Sequence, residues 1–323
     1  MLWRVKLANA LTLGIIFSTF AIHNSREGNT MSRRDAPVIP PYLALFLGIF
    51  AVSTGAIFVR LADAPALTVA AYRTGLATLI LLPVAWWRAR DELRRLRWPD
   101  YRLALLSGFF LAMHFATWIS SLDYTSVASS VVLVNTNPIW VGLLTPFISK
   151  DRITRLTALG IVISVVGGVI IGAGDFAIGG QALLGDVLAI MGSISAALYL
   201  LIGRNLRPKL SLIAYVIVVY GTAAVLLWLV VLGMGLPITG FTPQTWGALL
   251  GIAVVPQILG HSTYNWALRW VTASLVAVSL LGEPIMATIM AYFLFGEGLT
   301  WAKIVGGGLI LLGIYLAARG EET

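Results

Sequence analysis

Ten stretches of about twenty residues, each predominantly apolar, occupy most of this chain: 42–61, 66–87, 101–121, 126–148, 154–174, 184–203, 211–233, 245–266, 272–295 and 300–318. A helix rises 1.5 Å per residue, so about twenty residues cover the roughly 30 Å hydrocarbon layer of a bilayer. Inside lipid every backbone polar group has to be satisfied by the fold itself, which restricts the choice to helices and closed barrels. Continuous apolar runs of this length, without strict alternation, select helices. The expected fold class is all-α integral membrane, with ten transmembrane helices and the lipid bilayer as solvent.

Composition agrees. Of 323 residues, 59% are hydrophobic and 11% charged, against roughly 25% charged in an ordinary soluble domain. The net charge of +8 does not point to nucleic acid, because the basic residues fall in short loops between spans, where orientation signals belong. The chain has no cysteine, which excludes disulfides and thiolate chemistry.

Placing Arg33 and Arg34 inside puts Arg88, Arg90, Arg94, Arg95, Arg97, Arg102, Lys150, Arg152, Arg155, Arg204, Arg207, Lys209, Arg269 and Arg319 on the same side. Only Arg60 and Lys303 lie at the outer ends of spans. Both termini are therefore expected in the cytoplasm. Residues 1–41 form an N-terminal extension. Its run Leu7 to Ile22, preceded by Arg4 and Lys6, has the length of a signal-peptide core. Cleavage near Ala21 would strand Arg33 and Arg34 outside, so Met31 is taken as the functional start and the upstream run as an extension or an interfacial helix.

The two halves are related. A shift of 146 positions lays "LDYTSVASSVVLVNTNPIWVGLL" (Leu122 to Leu144) on "LRWVTASLVAVSLLGEPIMATIM" (Leu268 to Met290), matching Ser126 with Thr272 and Pro138 with Pro284. The same shift pairs Asp151 with Glu297, Thr154 with Thr300, Gly160 with Gly306 and Gly167 with Gly313. Five crossings per copy is an odd number, so the second copy enters the membrane inverted. The expected units are 42–174 and 184–318, connected through Gly172 to Asp186, around a central cavity. Inverted repeats are a recurrent construction of secondary transporters.

Both copies place a proline after a polar residue within a span, Asn137-Pro138 and Glu283-Pro284. Proline removes a backbone donor and crowds the preceding turn, so Pro138 and Pro284 are candidate hinges. A carboxylate at the centre of a helix costs roughly 2.5–3.5 kcal/mol even on a lenient insertion scale. Glu283 therefore has to face a cavity, meet a partner or carry a proton. Thr272, Val276, Ser279 and Glu283 share a stripe at i, i+4, i+7 and i+11, matched by Ser126, Ser130 and Asn137 in the fourth span. A structural reading stands beside the functional one: hydroxyls that close helix packing, with Glu283 bonded to a kinked backbone.

His114 and Trp118 share a face at i, i+4, and His261, Tyr264 and Asn265 share one at i, i+3, i+4. These groups could stack on or hydrogen-bond a small solute, and His could titrate near neutrality, or they could be satisfied packing groups. Arg73, in the second span, either attracts a substrate carboxylate or snorkels outward toward Asp63. Tyr199 and Tyr220 are weaker candidates, since a buried Tyr needs only a carbonyl for its hydroxyl. The glycines of "GIVISVVGGVIIG" (Gly160 to Gly172) and "GGGLILLG" (Gly306 to Gly313) permit close backbone approach within the chain or between protomers. No nucleotide loop, metal-ligand motif or activated serine is visible, so no cofactor, metal or catalytic residue is expected.

The segments "LDYTSVASSVVLVNTNPIWVGLLTPFISKDRIT" and "LRWVTASLVAVSLLGEPIMATIMAYFLFGEGLTWAKIVGGGLILLGIYLAA" resemble the paired repeats of EamA-type transporters in the drug/metabolite transporter superfamily. "SKDRIT" replaces the usual Gly-Glu turn, and Thr54-Gly55 stands where many members have Trp-Gly. The resemblance implies a ten-helix basket in a bacterial inner membrane, a cavity lined by spans three, four, eight and nine, and export of small metabolites such as amino acids. The expected partner is a small-molecule solute. The alternatives are proton-independent uptake or exchange of other metabolites, drugs or lipid-linked solutes, and, from another class, a membrane enzyme or structural subunit. Both repeats lie in one chain, so a monomer suffices, while symmetry leaves a homodimer open.

Overall fold

A computed structural model describes residues 37, 39–125, 127–149, 151–172, 181–295 and 300–321. Ser126, Lys150, Glu297, most of the connector and the extension before residue 37, with Met31, lie outside the described residues. The described chain is helical throughout, in fifteen α-helices and one π-helical segment. Six helical stretches are long and apolar enough to cross a membrane: Pro41–Val59, Ala66–Arg88, Trp98–Ser121, Gln181–Leu206, Leu212–Gly233 and Ile304–Glu321.

Some expected spans are continuous: α3 (Ala66–Arg88), α5 (Trp98–Ser121), α8 (Arg155–Gly172), α9 (Gln181–Leu206), α10 (Leu212–Gly233) and α15 (Trp301–Glu321). The others are broken. The first divides at Thr54 into α1 (Pro41–Ser53) and α2 (Gly55–Leu61). A short amphipathic α4 (Arg90–Arg95) follows α3. The fourth divides into α6 (Val127–Val134) and α7 (Asn137–Ile148), and the ninth into α13 (Ala273–Leu280) and α14 (Gly282–Phe295). Pro138 and Pro284 thus stand in the first turn of a new helix, where the missing N–H would have had no intrahelical partner. The eighth runs from α11 (Pro243–Ile252) through a π-helical segment, Ala253–His261, into α12 (Ser262–Ala267). Pro256 lies inside that segment.

The pattern of burial is that of a protein in lipid. Phe46, Leu79, Leu143, Val162, Leu229 and Leu311 are exposed on the helix exteriors, while Arg73, Asn137, Gln257, His261 and Asn265 are buried. Trp87, 81% exposed, lies beneath the Arg88 guanidinium at 5.3 Å, and Trp86 beneath that of Arg90 at 5.0 Å, an aromatic and basic pairing suited to a membrane–water boundary.

Hydrogen bonds tie the loops into two opposite ends. At one end Asp151 meets Arg204, Asp100 meets Lys209, Glu92 accepts from Ser211 N, Arg204 donates to Leu268 O, and Glu321 accepts from Thr272. At the other, Asp63 N donates to Thr245, Thr68 and Tyr72 donate to the carbonyls of Pro237 and Ile238, and Thr125 donates to Asp186.

α8 and α15 make the largest helix–helix contact, and its glycines explain why. A Cβ placed on Gly160 would lie 2.5 Å from Gly313 O, and one on Gly167 would lie 2.6 Å from Gly306 O. Ser164, between them, donates to Ile310 O at 3.4 Å. Rising numbers on one helix meet falling numbers on the other, so the two run antiparallel. The glycine stripe therefore closes a contact within the chain.

Candidate functional site

The breaks converge on one place. A cavity of about 50 Å³ is walled by Val52, Arg73, His114, Phe115, Trp118, Val134, Asn135, Asn137, Ala196, Tyr199, Leu200, His261, Tyr264, Leu280 and Glu283, room for a few water molecules. Arg73, His114, Trp118, Asn137, Tyr199, His261, Tyr264 and Glu283, all singled out in the sequence, lie on this wall. Asn265, bonded to Tyr199, and Tyr220, bonded to Asn265, lie one step behind it.

α5 supplies the stacked pair. His114 and Trp118 rings lie 5.9 Å apart and 9° from parallel, as one helical turn on a common face allows. His114 Nδ1 pairs with Gly192 O at 3.0 Å. Trp118 Nε1 is buried without a partner.

The π-helical turn and α12 supply the opposing wall. His261 Nδ1 pairs with the Tyr264 hydroxyl, and Phe115 packs 5.3 Å from the His261 ring. Asn265 Nδ2 donates to the hydroxyls of Tyr199 and Tyr220, the latter at 3.3 Å, and Tyr220 pairs with Ser262 at 3.1 Å. The backbone carbonyl of Asn265 accepts from Arg207 Nε at 2.9 Å. A fully buried amide thus cross-links three helices, α9, α10 and α12, and holds Tyr199 and Tyr220 in fixed orientations.

Arg73 does not snorkel toward Asp63. It is 1% exposed, donates from Nε to Gln257 Oε1 at 2.7 Å and lies 4.1 Å over the Phe115 ring. Glu283 lines the same cavity, yet the two form no ion pair among the described residues. Asn137 Oδ1 is buried and unpartnered. The site therefore sets one buried cation, one carboxyl group and several unpaired polar atoms in an apolar surround.

The polar stripe on the ninth span divides. Thr272 does not reach the cavity; it caps α13, accepting from Leu275 N at 3.2 Å, and it binds Glu321. Glu283 alone of that stripe lines the cavity. Ser130 pairs with Ser121 at 2.6 Å, a packing contact, and Ser126 lies outside the described residues. Sequence reasoning missed Gln257 and Phe115. The signal for Gln257 was present in "VVPQILGH", a proline followed by an amide inside an apolar run; Phe115 carried none. Among the described residues no group of His, Asp and Glu is arranged to hold a metal ion.

Comparison with known proteins agrees with this architecture. A solved crystal structure superposes with a TM-score of 0.72, covering 87% of this chain and 97% of the other at 18% identity, a likeness of fold. Two uncharacterized transporters of Archaeoglobus fulgidus are 27% and 26% identical, over 87% and 85% of this chain and 97% and 95% of their own lengths. The uncharacterized transporter YyaM of Bacillus subtilis is 24% identical over 77% of this chain and 83% of its own. The EamA-like transporter family matches twice, at residues 39–173 and 183–319. With two copies of the family's repeat covering most of its length, this multi-pass helical membrane protein belongs to the EamA-like transporter family.

Proposed function

We propose that the protein is a secondary-active exporter of small metabolites, amino acids or solutes like them, working by alternating access in a bacterial inner membrane. The observation that carries the reading is the polar cavity at the meeting point of four interrupted spans. A helix broken near its middle can bend about the break while each half keeps its own hydrogen bonds, and Pro138 and Pro284 begin the mobile halves.

Ten crossings arranged as two inverted units, 42–174 and 184–318, fit the packing. α1 packs on the π-helical segment as α9 packs on α5, and α1 packs on α14 as α9 packs on α7. Each of these pairs is exchanged by the 146-residue shift. The antiparallel contact of α8 with α15 supports it further: Gly160–Gly313 and Gly167–Gly306 exchange, and Ser164 bonds its own counterpart, Ile310. Two related halves in opposite orientations have inward-open and outward-open packings of similar energy. The positive-inside rule supports assigning the end that gathers Arg88, Arg90, Arg95, Arg204 and Lys209 to the cytoplasm, and both termini with it.

Counterflow tests the reading. Proteoliposomes preloaded with a mixed amino-acid pool accumulate labelled amino acids in a protein-dependent manner, and the solute emerges chemically unchanged. Absence of accumulation by folded protein across amino acids and other small metabolites would remove the proposal; a chemically altered solute would favour an enzyme.

A further inference from the structure

Arg73 is the least expected residue in the cavity, because a guanidinium carries five N–H donors, accepts nothing and stays charged. Its surroundings satisfy only part of it. Nε is bonded to Gln257 Oε1 and the planar face is stacked on Phe115. These two contacts fix both the direction and the plane of the fork, yet Nη2 is buried with no partner at all. An unpaired donor on a buried cation is costly, and more so in a membrane interior. Glu283 lies on another part of the wall and does not occupy the fork.

From this we infer that Arg73, braced by Gln257 and Phe115, is the anchor for the carboxylate of the transported solute. A planar group with two acceptor oxygens matches the presented edge of a guanidinium in a bidentate pair. Charge selects carboxylate over phosphate: a carboxylate brings one negative charge to one Arg, whereas a phosphate would bring up to two beside Glu283. Asn137 Oδ1, an unpaired buried acceptor on the same cavity, can take an N–H from the solute, so an amino acid satisfies more of the site than a simple acid does. Gln257 and Phe115 are positioning residues; they act on the solute through Arg73.

The inference rests on the transport reading only for what happens after binding, and two measurements separate them. Matched probes are used: phenylalanine, phenylalaninamide and phenethylamine, then leucine, leucinamide and isopentylamine, with inorganic phosphate as a further arm. Thermal stabilisation of purified full-length protein reads binding, and counterflow in proteoliposomes reads transport. The acids are expected to stabilise the wild-type protein, with the amides and amines at least about tenfold weaker, the scale of one buried charge-assisted pair. Arg73→Gln should abolish the preference for acids, Arg73→Lys should retain part of it, and Gln257→Leu should weaken it while leaving the charge in place. Should Arg73→Gln not fold, the acid-against-amide comparison on wild-type protein and the Gln257→Leu variant still decide.

Equal effects of acid and amide, stabilisation by phosphate in place of the acids, no stabilisation by any acid, or an undiminished acid preference in Arg73→Gln would each overturn the inference. Acid-selective binding without counterflow would leave the anchor standing and remove the transport reading. Counterflow indifferent to the carboxylate would do the reverse.

Discussion

Two glycines two residues apart on α15 should respond in opposite ways to the same substitution. A Cβ at Gly306 would stand 2.5 Å from Gly167 O, 2.6 Å from Ile171 Cγ1 and 3.2 Å from Ile171 N. Carbon contacts relax at about 3.5–4.0 Å, so α8 and α15 would have to part by about 1 Å along this line. Overpacking of that kind costs ~1–3 kcal/mol, partly offset by the ~0.5–1 kcal/mol that Ala gains over Gly in a helix. Gly308 is exposed and has no atom within 4 Å of such a Cβ, so there only the propensity gain remains.

Gly306→Ala is therefore expected to lower the midpoint of thermal unfolding in detergent micelles by several degrees, and Gly308→Ala to leave it unchanged or raise it slightly. Gly160→Ala, at the repeat-related position and 2.5 Å from Gly313 O, should behave like Gly306→Ala. Equal midpoints for Gly306→Ala and Gly308→Ala would refute the claim that backbone contact between these glycines holds the two helices together.

Two further outcomes follow from the site and the charge distribution. Glu283→Gln removes the only carboxyl group on the cavity among the described residues, so a dependence of counterflow on an imposed pH gradient should vanish in it; a dependence that survives assigns coupling to His114 or His261, which face the same space with Arg73, Tyr199 and Tyr264. Because the chain lacks cysteine, single replacements report sidedness cleanly: Arg95→Cys should react with an impermeant maleimide only after the cell is permeabilised, and Thr239→Cys in intact cells, the reverse pattern overturning the assigned orientation.

The helix positions were legible because apolar run length is set by membrane thickness, a one-dimensional property of sequence. The two breaks were legible through Asn137-Pro138 and Glu283-Pro284, since proline has no N–H for an unbroken ladder. The break at Thr54 was not: neither Thr54 nor Gly55 forbids a continuous helix. The cavity wall was legible because a polar group in an apolar helix has few places to go. Its partners were less so, since the 2.7 Å bond between Arg73 and Gln257 spans 184 positions and depends on the π-helical turn that rotates Gln257 and His261 inward. Thr272 misled for a related reason: helical spacing placed it on the Glu283 stripe, but it lies at a helix end, where capping and Glu321 claim its hydroxyl.

We propose that solute passes through this cavity, and Ala196→Cys puts that passage to the test. Ala196 lies on the wall and is buried, and Cys is a small change in a chain otherwise free of thiols. Modifying that thiol should abolish counterflow, and saturating substrate should slow the modification. Complete modification with undiminished counterflow would contradict the account.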